Sequence, residues 1–215
     1  MHNARPLPAY LIDRYRTWKS TVFEENRTIY DDLATNGQRP RIMVVSCCDS
    51  RLHVSSIFGA DVGELFIHRN IANLIPEYEP DGRHHGTSAA VEYAVRALKV
   101  EHLIVLGHSG CGGIEGCYNM CAGHAPELEE QTSFIGRWLD IIRPGYETLP
   151  EGDDATRKTA LEKAAILISI RNLMTFPFVR SAVEDGSISL HGLWKNIGDG
   201  SLEHYDPATN LFVSV

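Results

Sequence analysis

Four short apolar stretches rich in β-branched residues interrupt the chain and predict strands. They cover residues 41–47, 64–68, 102–107 and 187–194. Continuous apolar runs of this length, bounded by turn-forming or polar residues, are typical of strands that are buried on both faces of a sheet. The sequence therefore predicts a sheet whose strands lie inside the protein.

Between these stretches, apolar residues recur at steps of three and four positions, which predicts helices. In residues 10–36 the apolar face includes Leu11, Tyr15 and Trp18, and Asn36-Gly37 ends the pattern. Further helices are predicted at residues 86–99, 128–142, 155–174 and 178–184. Residues 143–154 are rich in Pro, Gly and acidic side chains and are predicted to form a loop.

The order of these elements indicates an α/β fold. A strand, a helix and a strand follow one another between residues 64 and 107, as in a parallel sheet with crossover helices. We expect a central, mainly parallel sheet that is flanked by helices. Residues 1–36 are predicted to form an N-terminal helical arm and residues 37–215 an α/β domain, with no linker that would separate the arm as an independent domain.

Charge and hydropathy exclude some classes of partner. The 215 residues include 28 Asp and Glu against 20 Lys and Arg, a formal net charge of −8. A broad surface for nucleic acid or anionic membranes would need a basic excess. The first twenty residues lack the apolar core of a secretory signal, and no apolar stretch is long enough to span a membrane. We expect a cytoplasmic protein with no nucleic-acid or membrane partner.

The chain has five cysteines, an odd number that does not suggest a disulfide framework. In a reducing compartment such cysteines are more often ligands, nucleophiles or core residues. Cys47 directly ends one predicted strand, and Cys48, which follows it, is predicted to be a packed thiol. Cys117 and Cys121 have the spacing of one helical turn and could hold a metal, although no His or further Cys is close to them in sequence.

Two segments that end buried strands carry metal-binding residue types. The first strand ends in Cys47, with Asp49 and Arg51 just beyond it, and the third is followed by His108 and Cys111. Sites in open α/β sheets form beyond the carboxyl ends of strands. Thiolates and imidazole are ligands that zinc prefers, and three protein ligands leave a fourth position open. Either segment alone is weak support, because a single cysteine at a strand end is usually a core residue.

Together, the two segments resemble the β-class carbonic anhydrases. The resemblance rests on Cys-x-Asp-Ser-Arg at residues 47–51 and His-x-x-Cys-Gly-Gly at residues 108–113. It extends to residues 63–74, 86–113 and 172–180, and it covers most of the chain between Gln38 and Asp199 in the order of the family. This agreement is more specific than the spacing of the ligands alone.

The resemblance implies a role for each matching residue. Cys47, His108 and Cys111 match the ligands of one zinc ion per subunit, and Asp49 and Arg51 match the catalytic acid–base pair next to the metal. The positions of Gln38, Phe66 and Tyr93 match the substrate pocket of the plant-type members, and the N–H of Gly112 would polarise the substrate.

The implied activity is the reversible hydration of carbon dioxide to bicarbonate and a proton by a metal-bound hydroxide. The resemblance also implies a sheet order of 2-1-3-4 and a homodimer or dimer of dimers, in which the N-terminal arm packs on a partner subunit. Two alternatives stay open: hydrolysis of carbonyl sulfide or carbon disulfide at the same site, and a non-catalytic zinc or thiol module.

Some bacterial relatives bind a regulatory bicarbonate through a Trp, an Arg and a Tyr. Here Val44 and Lys195 stand at the Trp and Tyr positions, although Arg69 is kept. We therefore expect this inhibitory site to be absent.

Overall fold

The computed structural model describes residues 4–81 and 85–215. The chain divides into two compact units, Met1–Arg39 and Pro40–Val215. The first unit contains helix α1 (Ala9–Trp18), a π-helical segment (Lys19–Phe23) and helix α2 (Arg27–Asn36). The single helical stretch predicted for residues 10–36 is thus two helices, which are separated at Asn26, where φ is −108° and ψ is 15°.

The N-terminal unit has no buried side chain among its described residues. The rings of Trp18, Phe23 and Tyr30 form a small cluster, with centroids between 4.9 and 6.0 Å apart. Tyr10 and Tyr15 remain 61% and 56% exposed. Apolar side chains in such number on the surface of a small unit are typical of an interaction surface.

The second unit is built on one six-stranded sheet. Its strands are β1 (Ile42–Cys47), β2 (Leu65–Asn70), β3 (His102–His108), β4 (Ser189–Lys195), β5 (Leu202–Asp206) and β6 (Leu211–Ser214). They lie in the order β2-β1-β3-β4-β5-β6, and the pairs β1–β2, β1–β3 and β3–β4 are parallel. The predicted order 2-1-3-4 is confirmed. The antiparallel strands β5 and β6, which extend it, were not predicted.

Helices of this unit pack on the sheet or on one another. They are α3 (Val54–Phe58), α4 (His85–Glu92), α5 (Gly112–Cys121), α6 (Phe134–Leu139), α7 (Arg143–Glu147), α8 (Asp154–Leu173) and α9 (Pro177–Glu184). A π-helical segment, Tyr93–Leu98, continues α4 to the left-handed residue Lys99. Helix α8 begins where the Asp153 side chain accepts a 2.8 Å hydrogen bond from the N–H of Thr156, which satisfies one of the free amides of the first turn.

Two predictions between residues 128 and 154 are wrong in detail. The helix predicted for residues 128–142 is interrupted, because only Phe134–Leu139 is α-helical and 3₁₀ turns lie on either side of it. The loop predicted for residues 143–154 begins with α7. Pro144 lies in the first turn of α7, where a missing N–H costs nothing. A Cβ on Gly145 would lie 3.0 Å from Cδ1 of Ile168, so glycine permits close packing on α8.

Alternate residues of the central strands face two apolar cores. Val44 and Leu106 pack on one face with residues of α5, and Met43 and Val105 pack on the other face with residues of α4 and α9. Helix α8 contributes to both cores. This double coverage explains why the central strands are continuously apolar. No single helix in the described residues is long and apolar enough to cross a membrane, and α8 and α9 pass that test only as a pair bent by 90°.

Candidate metal centre

The metal-binding residue types meet where β1 and β3 end. These strands are parallel neighbours, so their carboxyl ends lie at the same edge of the sheet. Cys47 is the last residue of β1, His108 is the last residue of β3, and Cys111 immediately precedes α5. One donor atom from each lies within 4.8 Å of the other two. All three side chains are buried, with exposed fractions of 5%, 1% and 1%.

The hydrogen bond of His108 leaves one ring nitrogen free to bind a metal. Its Nδ1 lies 3.0 Å from the carbonyl oxygen of Ser109, which can only accept, so Nδ1 carries the proton. Nε2 is therefore a lone-pair donor in the neutral ring. It is buried and has no hydrogen-bond partner among the described residues. An orphaned buried nitrogen is costly, and a metal ion at this position would satisfy it.

The two thiols are paired electrostatically. Sγ of Cys47 lies 3.8 Å from Sγ of Cys111. Contact with Cys111 lowers the pKa of Cys47, and the resulting thiolate raises the pKa of Cys111. Burial alone would lower the pKa of His108, but its contact with Cys47 raises it. Two sulfur atoms and one neutral imidazole nitrogen are a donor set that fits zinc.

Asp49 lies beside this cluster and is held by Arg51. Its Oδ2 is 3.8 Å from Nε2 of His108 and accepts a 2.6 Å bond from Nη2 of Arg51. Its Oδ1 accepts from the backbone N–H and from Nε of Arg51, both at 2.9 Å. These bonds hold the pKa of Asp49 far below its usual range. The carboxylate is thus ionised, fixed in one rotamer and 16% exposed.

Arg69 holds the turn that carries Asp49. Its guanidinium donates to the carbonyl oxygens of Cys47, Asp49 and Leu52 at 2.7–3.0 Å. The sequence singled out Arg69 only as a remnant of the bicarbonate site. In the structure, Arg69 has a local role: its positive charge lies where three carbonyl oxygens of the turn converge.

Sequence reasoning missed Glu162, on α8. This side chain is 5% exposed and accepts hydrogen bonds from the N–H groups of Gly110 and Cys111. The signal was present in the pattern: Glu162 shares a helical face with the buried residues Ile166 and Ser169. A charged residue at a core-facing position requires partners, and it is therefore a candidate for a role at a site.

A cavity of about 400 Å³ opens beside the cluster. Its walls are mostly apolar. They comprise Cys47, Cys48, Asp49, Ile71, Gly112, Gly113, Gly116, Ile135 and Leu139. Gly112 lies in the first turn of α5, whose N–H groups have no partner within the helix. Cys48 is exposed, so the prediction of a packed thiol is wrong: β1 ends at Cys47, and the next residue is already in the open turn.

Phe66 and Tyr93, two other predicted pocket residues of the second unit, do not line this cavity. Phe66 and Tyr93 contact each other, with ring centroids 5.8 Å apart, and Tyr93 is 50% exposed. Phe66 is paired in register with Met43, which faces the core opposite the cavity, and this explains the separation. Gln38 belongs to the N-terminal unit and is exposed. Their role in a pocket stays a prediction.

The Cys117 and Cys121 pair is close but incomplete as a metal site. The two sulfur atoms are 3.9 Å apart, and burial raises both thiol pKa values. Among the described residues, the pair belongs to no cluster of three or more His, Cys, Asp or Glu donors. We therefore interpret these cysteines as part of the packing around α5.

Comparison with known proteins agrees with this geometry. The carbonic anhydrase family model matches residues 42–202. The chain is 34% identical to beta carbonic anhydrase 3 of Arabidopsis thaliana over 193 residues, which cover 88% of this chain and 73% of that protein.

Solved structures give the same result. The structure of the β-carbonic anhydrase CcaA is 31% identical, with a TM-score of 0.83 over 96% of this chain and 91% of that chain. One of two tetrameric β-carbonic anhydrases from Sordaria macrospora is 27% identical, with a TM-score of 0.72 over 91% of this chain and 94% of that chain. The chain is therefore a member of the β-class carbonic anhydrases.

Proposed function

We propose that this protein catalyses the reversible hydration of carbon dioxide to bicarbonate and a proton. One zinc ion per subunit would be held by Cys47, His108 and Cys111. The observation that carries the proposal is the buried set of two sulfur donors and one free imidazole nitrogen in a carbonic anhydrase fold. When bound, zinc supplies Lewis acidity, which makes a strong nucleophile available near neutral pH.

The protein residues around the donors would orient the reacting water. Asp49 is ionised and next to His108, so it can accept a hydrogen bond from that water and direct its lone pair. Arg51 fixes the carboxylate through two bonds from its side chain. This bidentate contact also keeps Asp49 from turning into the donor cluster itself.

The cavity suits a small substrate without a net dipole. Ile71, Ile135 and Leu139 offer apolar contact, and the N–H of Gly112 can polarise an oxygen atom where charge develops. A non-catalytic zinc module is disfavoured on two grounds. A structural zinc site has four protein ligands, whereas this cluster offers three, and a structural site has no need of the ion pair between Asp49 and Arg51. Carbonyl sulfide and carbon disulfide are also linear and apolar, so they are included in the assay below.

We propose a homodimer or a dimer of dimers as the working form. The exposed apolar residues of the N-terminal unit would pack on a partner subunit, and Gln38, Phe66 and Tyr93 would serve a pocket shared between subunits. The Sordaria macrospora relatives are described as tetrameric, which supports self-association. We also propose that the enzyme works in the cytoplasm, where its five free thiols stay reduced.

The test is stopped-flow hydration of carbon dioxide at alkaline pH by protein of measured zinc content. The wild type is compared with Cys111→Ala, and Cys121→Ala serves as a matched control because it removes a thiol outside the donor cluster. We expect Cys111→Ala to lose zinc and activity and Cys121→Ala to keep both. Absence of carbon dioxide hydration in fully zinc-loaded wild type would refute the proposal, and turnover of carbonyl sulfide or carbon disulfide by that protein would assign the site to a sulfur-containing substrate.

A further inference from the structure

Glu162 is a buried carboxylate that the chemistry proposed above does not use. Its Oε1 accepts hydrogen bonds from the N–H groups of Gly110 at 2.7 Å and Cys111 at 3.3 Å, and its Oε2 accepts from Nε1 of Trp194 at 3.0 Å. Each of these partners is a donor, so the contacts suit the ionised form, which accepts at both oxygens. Burial raises the pKa of Glu162, and these three hydrogen bonds act in the opposite direction by favouring the ionised form.

Glu162 and Arg51 hold the same peptide group from opposite sides. The N–H of the peptide between Gly110 and Cys111 points to Glu162, and its carbonyl oxygen accepts a 2.9 Å bond from Nη2 of Arg51. That nitrogen of Arg51 also binds Oδ2 of Asp49. A continuous chain of charge-assisted hydrogen bonds therefore runs from α8, through one peptide group, to the carboxylate beside the metal donors.

We propose that Glu162 is a positioning residue for the reaction. By holding this peptide, it sets the position of the Cys111 sulfur among the donors and the position of Arg51 against Asp49. This inference rests on the proposed function. A purely structural role is the alternative. In that case Glu162 would only connect α8 to the segment between β3 and α5, and its loss would lower stability without changing turnover per bound zinc.

The first variant is Glu162→Gln. The amide keeps the size of the side chain, but its NH₂ group must face a donor, either the N–H groups of Gly110 and Cys111 or Nε1–H of Trp194. We expect turnover per bound zinc to fall about 10- to 100-fold and zinc release to a chelator to accelerate, as for other residues that orient metal ligands. The KM for carbon dioxide should stay unchanged, because Glu162 does not line the cavity.

A second substitution distinguishes hydrogen-bond geometry from charge. In the double variant Glu162→Gln, Trp194→Phe, the indole N–H is gone, so the amide can turn its NH₂ away and give its oxygen to the peptide. We expect turnover per zinc and zinc retention to recover relative to Glu162→Gln, measured against Trp194→Phe alone. Glu203→Gln is the matched control. It removes a carboxylate on β5 whose Oε2 lies 2.6 Å from Nζ of Lys163, the neighbour of Glu162 on α8, and it leaves Glu162 in place.

The outcomes separate the two proposals. If the zinc-loaded wild type does not hydrate carbon dioxide, the proposed function fails. If the wild type is active and Glu162→Gln equals it in turnover per zinc and in zinc release, only the positioning role fails. An equal loss in Glu203→Gln, or a loss that the double variant does not recover, would also overturn it. Should Glu162→Gln be insoluble, Glu162→Asp, whose carboxylate is one methylene further from the peptide, is expected to show the same loss per zinc.

Discussion

Gly113 lies against the 3₁₀ turn Ile71–Asn73, and one added methyl group there is expected to disturb the metal centre. A Cβ at this position would lie 2.8 Å from Cγ2 of Ile71 and 3.0 Å from Cβ of Ala72. Carbon atoms in ordinary contact are about 3.5–4.0 Å apart, so the turn must move by roughly 0.5–1 Å. Neither neighbour moves easily, because Ile71 is β-branched and Ala72 already has a left-handed backbone, with φ of 62°.

The adjacent Gly112 provides the matched comparison. A Cβ there meets nothing within 4 Å, and both glycines lie in the first turn of α5. Replacing either residue with alanine brings a similar gain in helix propensity, which cancels when the two variants are compared. The difference that remains is the overpacking term, about 1–3 kcal/mol against Gly113→Ala.

The consequence for zinc follows from Ala72. Its backbone N–H contacts the sulfur of Cys47 and helps to lower the pKa of that thiol, so a shift of the turn weakens one ligand. We expect Gly113→Ala to unfold at lower urea concentration than Gly112→Ala and to release zinc faster. Both variants should be measured at one protein concentration, because self-association shifts apparent stability. Equal stability and equal zinc release in the two variants would refute the reasoning.

Two further predictions concern charged groups. Asp49→Asn is expected to lower turnover per zinc roughly 100-fold or more, because the amide is a weaker proton acceptor and loses the ion pair with Arg51. The control is Asp140→Asn, which removes an exposed carboxylate that pairs with Arg143 and does not line the cavity, and it should stay near wild type in the same stopped-flow assay. A hydrogen bond from Arg41 lowers the pKa of Glu101 from its ordinary 4.5, so this pair stabilises the fold above pH 4.5 and the contribution is lost as pH falls through the lowered pKa. Urea titrations of wild type and Glu101→Gln should therefore differ at neutral pH and converge in acid, and a difference that stays constant would contradict this.

The central strands could be predicted because burial on both faces leaves a continuous apolar run. Strand β5 escaped prediction because Leu202–Asp206 is short and mixes polar with apolar residues, and it is ordered by pairing with β4 and β6. Helix α7 was predicted as a loop because Pro144 and Gly145 are helix breakers in general. Their positions in the first turn and against α8 remove that objection.

The donor set could be predicted from motifs that end two parallel strands. The contacts of Glu162 could not, since they join residues 51 and 52 positions apart in the chain and depend on how α8 lies over the loop. The pocket predicted around Phe66 and Tyr93 could not be tested within one chain. If subunits share that pocket, its assembly depends on a surface that is only completed by a partner.

The position of the donors on separate strands also bears on when the metal enters. Cys47 and Cys111 are 64 residues apart. Closing a flexible loop of that length costs roughly 4 kcal/mol in chain entropy before any contact forms. The unfolded chain is thus a poor zinc ligand, unlike a zinc finger, whose close ligands let the metal drive folding. Packing of the two apolar cores aligns β1 with β3. We therefore expect zinc to bind only after the sheet has formed.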